Sequence, residues 1–210
     1  MIVEGGSLDD TFMEACKLGF EYSGITVLKQ AGSGKFDAVL TGARECKSDL
    51  IIIWDADGTV PVDSTRLVIS KSLETSGPAM GNRLRGVMEK GAMFRANFVG
   101  NWFFAFLWSP ILSGKVVDLL CGTKVFPKTA FEAIPPRIAK LDPYGDFSLI
   151  LSARLLGMNI SSVTVNYKKR RYGKTNIRRW SGGLRLLLVT CLSLIEYFIK
   201  TKSPGATPKD

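Results

Sequence analysis

Leu50-Ile51-Ile52-Ile53-Trp54-Asp55-Ala56-Asp57 is a continuous apolar run that ends abruptly in two carboxylates one residue apart. A strand buried on both faces needs such an unbroken run, which predicts a parallel sheet covered by helices. In open α/β sheets the ligand crevice lies just beyond the carboxyl ends of the strands, where Asp55 and Asp57 fall. Side chains alternate along an extended chain, so with Ala56 turned away both carboxylates face one side. Two hard oxygen ligands suit Mg²⁺ or Mn²⁺, with a diphosphate and water completing the shell. The same two residues also suit a plainer role, shaping the turn into Gly58 and capping the helix after Pro61.

On either side of this run the pattern alternates strand and helix at short spacing, which predicts a layered α/β fold. Ile2-Val3 reads as the end of a strand, followed by the turn Glu4-Gly5-Gly6-Ser7. Ser7 is placed to cap a helix running to about Phe20, with Asp9 and Asp10 in its first turn. A short strand is expected over 25–28, a basic loop at Gly32-Ser33-Gly34-Lys35, and helices over 36–46 and 62–73. Further on, 117–126 reads as strand and turn, 146–157 as an amphipathic helix and 160–167 as a strand.

Two apolar segments stand apart. Residues 94–112 hold Phe98, Trp102, Phe103, Phe104, Phe106 and Trp108 but are interrupted by Arg95, Asn97 and Asn101. Residues 184–199 are broken by Arg185 and Glu196 and followed by Lys200 and Lys202. Both fall short of the ~20 residues of a clean spanning helix. A helix lying in the membrane interface, with Trp102 and Trp108 at the headgroups, fits the first segment, and an ordinary buried helix is its rival. The expected division is a catalytic domain over 1–183, a membrane-associated apolar helix over 184–200 and a disordered tail over 201–210.

Composition narrows the chemistry. The 210 residues contain no histidine, which excludes histidine acid–base chemistry and histidine-ligated zinc. Cys16, Cys46, Cys121 and Cys191 show no paired spacing, as expected of buried thiols in a reducing compartment. The opening residues lack the basic and apolar regions of a secretory signal, so none is expected. Lys and Arg number 28 against 19 Asp and Glu, a net charge of +9. The excess gathers in Lys168-Lys169-Arg170-Arg171 and from 174 to 185, beside the most apolar segments. That neighbourhood favours a membrane surface or lipid phosphate over nucleic acid. No nucleic-acid partner is expected, because the aromatics cluster in apolar segments rather than among the arginines that would stack bases.

Taken in order, the motifs resemble the family 2 glycosyltransferases of GT-A fold, close to the dolichol-phosphate mannose synthase and polyprenyl-phosphate or cell-surface sugar transferase groups. Val3-Glu4-Gly5-Gly6-Ser7 with Asp9 resembles the family's V-D-D-G-S-x-D turn at the nucleotide, and Gly34-Lys35 its G-K-G loop. Asp55-Ala56-Asp57 resembles its D-x-D element and Gly81-Asn82-Arg83 its G-S-R strand end. Asp118-Leu119-Leu120-Cys121-Gly122-Thr123-Lys124 resembles its D-x-x-C-G-x-K segment. Gly145-Asp146-Phe147 falls where the family has an acidic residue near the acceptor, and 170–176 resembles its R-x-x-G-x-S-K loop.

The resemblance implies a three-layer α/β/α domain around a mixed sheet, at the cytoplasmic face of a membrane as a peripheral protein. It also implies transfer of a hexose from a nucleotide-diphospho-sugar to a polyprenyl phosphate or another membrane or cell-surface glycan. Donor contacts fall on Glu4, Gly6, Ser7, Lys35, Asp55 and Asp57, with Mg²⁺ or Mn²⁺ on Asp55 and Asp57. Phosphate or acceptor contacts fall on Arg83, Arg95, Arg170 and Lys174, and the catalytic groups are Asp57 and Asp146. Asp146 would be the base for a hydroxyl acceptor, or else simply a helix cap. Two departures stand out: Glu4-Gly5 replaces an Asp-Asp pair, and Thr175-Asn176 replaces Ser-Lys. The family also opens with a strand and helix carrying a P-x-Y/F-N-E-type motif, which the resemblance implies this chain lacks. The strand at 50–54 would then miss a neighbour unless a second chain supplies it, leaving a marginally folded, poor catalyst. The alternative from another class is an inactive binding or regulatory protein on the same fold.

Overall fold

The computed structural model describes residues 1–112, 116–172 and 179–202. In chain order the elements begin β1 (Ile2–Glu4), α1 (Thr11–Glu21), β2 (Val27–Lys29), α2 (Lys35–Glu45) and β3 (Leu50–Ile53). There follow α3 (Val62–Thr75), β4 (Ala79–Asn82), α4 (Arg95–Trp108), β5 (Lys124–Pro127) and α5 (Lys128–Glu132). The last are α6 (Pro136–Leu141), α7 (Asp146–Leu155), β6 (Ser161–Thr164) and α8 (Arg179–Lys202).

The strands form two sheets. β1 and β2 pair in parallel, and the second sheet runs β3-β5-β4-β6. β5 is antiparallel to both neighbours, while β4 and β6 are parallel. The alternation of side chains builds three layers. Ala79 and Val125 face one side with Val68 of α3, whereas Met80, Phe126 and Ile51 face the other with α4, α7 and α8. A mixed sheet lies between helices, as the ordered motifs imply.

The apolar run corrects its own first reading. β3 is the edge of a mixed sheet, bonded to antiparallel β5, rather than a central strand of a parallel one. Ile52 is 45% exposed and Trp54 47%, because α3 covers β4, β5 and β6 but not this edge. An apolar run specifies which faces shun water; it does not specify which strand bonds alongside.

Local chemistry accounts for other departures. α1 starts at Thr11 rather than after Ser7, since Asp9 Oδ1 accepts the Thr11 N–H and hydroxyl and forms a turn first. α7 is buried along almost its whole length rather than amphipathic, with Phe147 against Phe104 and Trp108. Its register packs even Ser148 and Ser152 inward, their hydroxyls bonded to Asp142 and to the Leu149 carbonyl.

α4 divides its aromatics. Phe104 and Trp108 are buried, and the Trp108 indole donates to Thr190 Oγ1 of α8 at 3.1 Å. Phe98, Trp102, Phe103 and Phe106 are exposed. Trp108 is therefore a core residue and not a headgroup anchor. α8 shares that core through Leu186 and Val189 and exposes Leu184, Leu188, Ile195 and Ile199. Its segment Gly182–Lys202, 21 residues of mean hydropathy 1.6, has the length and composition to cross a membrane. Buried core helices meet the same criterion.

Candidate active site

β3 ends at Ile53, and the chain turns at once through Asp55 and Asp57. Asp57 Oδ1 accepts the Thr59 N–H at 3.0 Å and its hydroxyl at 2.7 Å, so the turn-shaping role is present. Its other oxygen does something else. Asp57 Oδ2 accepts from Arg170 Nη2 at 2.6 Å across the strand end. The basic segment is pinned there because Lys168 N–H donates to the Thr59 carbonyl and Lys169 N–H to Glu89 Oε2.

Asp55 faces α2. Lys35, first residue of that helix, reaches Asp55 Oδ1 at 2.7 Å and Oδ2 at 3.0 Å. Burial alone pushes the Asp55 carboxyl up, but Lys35, with Lys124 and Arg83 nearby, holds it below the usual carboxylate range. Burial likewise pulls on the Lys35 ammonium, and Asp55 and Asp146 outweigh it and raise its pKa. Gly122 leaves room for this arrangement, since a Cβ there would lie 1.8 Å from Asp55 Oδ2.

Behind these lies a sealed layer of charge. Lys124 opens β5 and Asp146 opens α7, and the two form an ion pair in the interior. Gly145, itself left-handed at φ +79, lies over the Phe36 ring where a Cβ on it would clash, and leads directly into Asp146. Asp142 holds the turn by accepting the N–H groups of Tyr144, Gly145 and Ser148. Burial and neighbouring Asp146 push the Asp142 carboxyl up against the pull of those donors. Arg83 grips Asp118 with two guanidinium nitrogens, at 2.7 and 2.8 Å, and with its backbone N–H.

The structure thus brings Lys35, Asp55, Asp57, Arg170 and Asp146 to the ends of the strands. Arg83 lies beside them with its fork filled by Asp118. Arg95 is exposed at the start of α4. Glu4 sits at the end of β1 and closes its own turn by accepting the Ser7 N–H, which lowers its carboxyl; Gly6 supplies the positive φ of that turn. Lys174 lies outside the described residues. Lys124, Asp118 and Asp142 carry much of the site's order, yet sequence reading assigned them no role. The signal was present, because D-x-x-C-G-x-K places Asp118 and Lys124 in one motif.

A mixed sheet between helical layers, with carboxylates and their cations gathered at the strand ends, defines the GT-A class of nucleotide-diphospho-sugar transferase folds. The family model of glycosyl transferase family 2 matches residues 1–134, and the chain belongs to that family. Among curated proteins it is 29% identical over 132 residues to glycosyltransferase AglJ of Haloferax volcanii, covering 62% of this chain and 42% of that protein. It is 27% identical over 177 residues to a dolichyl-phosphate beta-glucosyltransferase of Trichomonas vaginalis, covering 80% and 54%. The chain spans about half the length of these relatives. Among solved structures, glucosyl-3-phosphoglycerate synthase of Mycobacterium tuberculosis with Mg²⁺ and uridine diphosphate superposes at TM-score 0.64 and 19% identity. The match covers 92% of this chain and 66% of that one. At that identity the likeness shows the fold.

Proposed function

We propose that the protein transfers a hexose from a nucleotide-diphospho-sugar to a polyprenyl phosphate, or another glycan acceptor held at a membrane surface. The observation that carries this reading is the end of β3, where Asp55 meets Lys35 and Asp57 meets Arg170. A leaving diphosphate gathers negative charge, and two cations that keep part of their surface in solvent, beside two carboxylates, can answer it.

The donor set fits a divalent cation of the Mg²⁺ or Mn²⁺ kind. Among the described residues no three or more His, Cys, Asp or Glu gather as a complete metal cage. Two carboxylates leave positions for diphosphate and water, as such hard cations prefer. Asp55 and Asp57 would hold the ion, which supplies Lewis-acid neutralisation of the leaving group. Relatives of this fold have been crystallised with Mn²⁺ or Mg²⁺, which supports the reading.

The remaining residues divide the work. Lys35 and Arg170 bind the anionic oxygens, while Glu4, Gly6 and Ser7 shape the loop for the nucleotide. A phosphate acceptor is already a nucleophile and needs no base; a hydroxyl acceptor would need Asp146, which is buried against Lys124, as its base. Arg95 and Lys174 contact acceptor phosphate, and Arg83 steadies the β4 end through Asp118. The exposed aromatics of α4 and the apolar face of α8 set the protein on the cytoplasmic face of the bilayer. Dolichyl-phosphate enzymes among its relatives support a lipid acceptor.

The test is transfer from a panel of UDP- and GDP-hexoses to polyprenyl phosphate in anionic vesicles, with Mn²⁺ or Mg²⁺. Product is expected with at least one donor, and Asp57→Asn should abolish it. A folded protein that neither transfers nor hydrolyses any donor would return the alternative, a binding protein on this fold.

A further inference from the structure

Among the described residues four ion pairs stand at the strand ends, and they are not alike. Lys124 is 1% exposed against Asp146, and Arg83 is 11% exposed against Asp118. Lys35 and Arg170, by contrast, keep 34% and 39% of their side-chain surface in solvent. A long side chain that keeps part of its surface in solvent can swing away without opening the core. The two carboxylates assigned to a metal ion are those whose cationic partners keep part of their surface in solvent.

We propose that Lys35 and Arg170 are exchangeable counter-ions. Before donor arrives they occupy the carboxylate oxygens of Asp55 and Asp57; when a divalent cation and a diphosphate enter together, they release those oxygens and take the diphosphate. The inference rests on the reading of Asp55 and Asp57 as metal ligands. Its basis is charge balance. A bare divalent cation must displace an ammonium and a guanidinium and then sit beside them with no anion to receive them. A diphosphate alone draws both cations off and faces two bare carboxylates. When both arrive, every charge gains an opposite partner. Cation and diphosphate therefore each bind weakly alone and tightly together, and the coupling is reciprocal.

The experiment is equilibrium dialysis of Mn²⁺ against the full chain, with and without inorganic pyrophosphate in both chambers. For the wild type, pyrophosphate should tighten Mn²⁺ binding by about tenfold or more, within the usual range of coupling between sites. Lys35→Met and Arg170→Gln should each bind Mn²⁺ more tightly than wild type without pyrophosphate, and should lose part of the coupling. Misfolding cannot produce such a gain. If the variants bind Mn²⁺ alone no better than wild type while wild-type coupling persists, the exchange is overturned and the site assignment stands. If wild type takes up Mn²⁺ equally with and without pyrophosphate, the exchange is overturned as well. If it binds Mn²⁺ under neither condition, the metal assignment falls and takes this inference with it.

Discussion

Lys124–Asp146 and Lys35–Asp55 are the same chemistry in two settings. The first pair is shut inside between β5 and α7, and the second stands at the mouth of the site between α2 and the end of β3. A buried pair is architecture, because losing one partner strands a charge in the interior. A pair that keeps about a third of its surface in solvent contributes less to folding and can be given up to a ligand. The two aromatic rows of α4 repeat the lesson: Trp108 holds the core together, whereas Trp102 faces outward.

The comparison breaks most decisively at Lys124. Lys124→Met leaves Asp146 buried without its cation and should lose about 3–5 kcal/mol in urea unfolding. Adding Asp146→Leu should restore most of that loss. A single-variant change below ~1 kcal/mol would mean that burial does not separate the two pairs.

Gly122→Ala tests the boundary between them. The new methyl would overlap Asp55 Oδ2, so the carboxylate must move. A stability loss of about 1–3 kcal/mol is expected, together with weakened Mn²⁺-dependent donor binding measured by calorimetry. Unchanged donor affinity would remove Asp55 from the site.

Lys35→Met should alter stability by less than ~1 kcal/mol while sharply lowering donor affinity. A large fall in melting temperature would show that this pair, too, is architectural. The α4 contrast is read by vesicle flotation. Trp102→Glu with Phe106→Glu should leave the fold intact and reduce recovery on anionic vesicles. Equal recovery of wild type and variant in the soluble fraction would count against the membrane face.

The smallest expected effect is on pH. The Asp55 carboxyl is depressed in the folded protein, so its contribution is full at neutral pH and lost as pH falls through its lowered pKa. That places the loss below the ordinary carboxylate value of ~4. Asp55→Asn should flatten this part of the stability–pH curve, measured by urea unfolding between neutral and acid pH.

Much of the molecule was legible beforehand. β4 ends at the predicted Gly81-Asn82-Arg83 motif, α2 and α3 fall within two residues of their expected bounds, and Asp55 and Asp57 stand at a strand end. The burial of α7 was not legible, because its polar positions are serines that satisfy themselves against nearby acceptors. Nor was the fate of Arg83, since a lone arginine after a strand reads equally as a phosphate ligand or as one half of a buried pair. Trp108 and Trp102 are both tryptophans in one apolar stretch, and only packing against Phe147 and Thr190 separates them.

The sequence by itself determined the strand-and-helix alternation, the family and the two carboxylates that stand at the end of β3. Those follow from side-chain periodicity and from residue types set close together along the chain. Only the tertiary structure decided which cation meets which carboxylate. Arg170 reaches Asp57 from 113 residues away, and Lys124 meets Asp146 because β5 and the start of α7 close on one interior point. Such pairings depend on how whole elements pack, and local pattern carries no record of that packing.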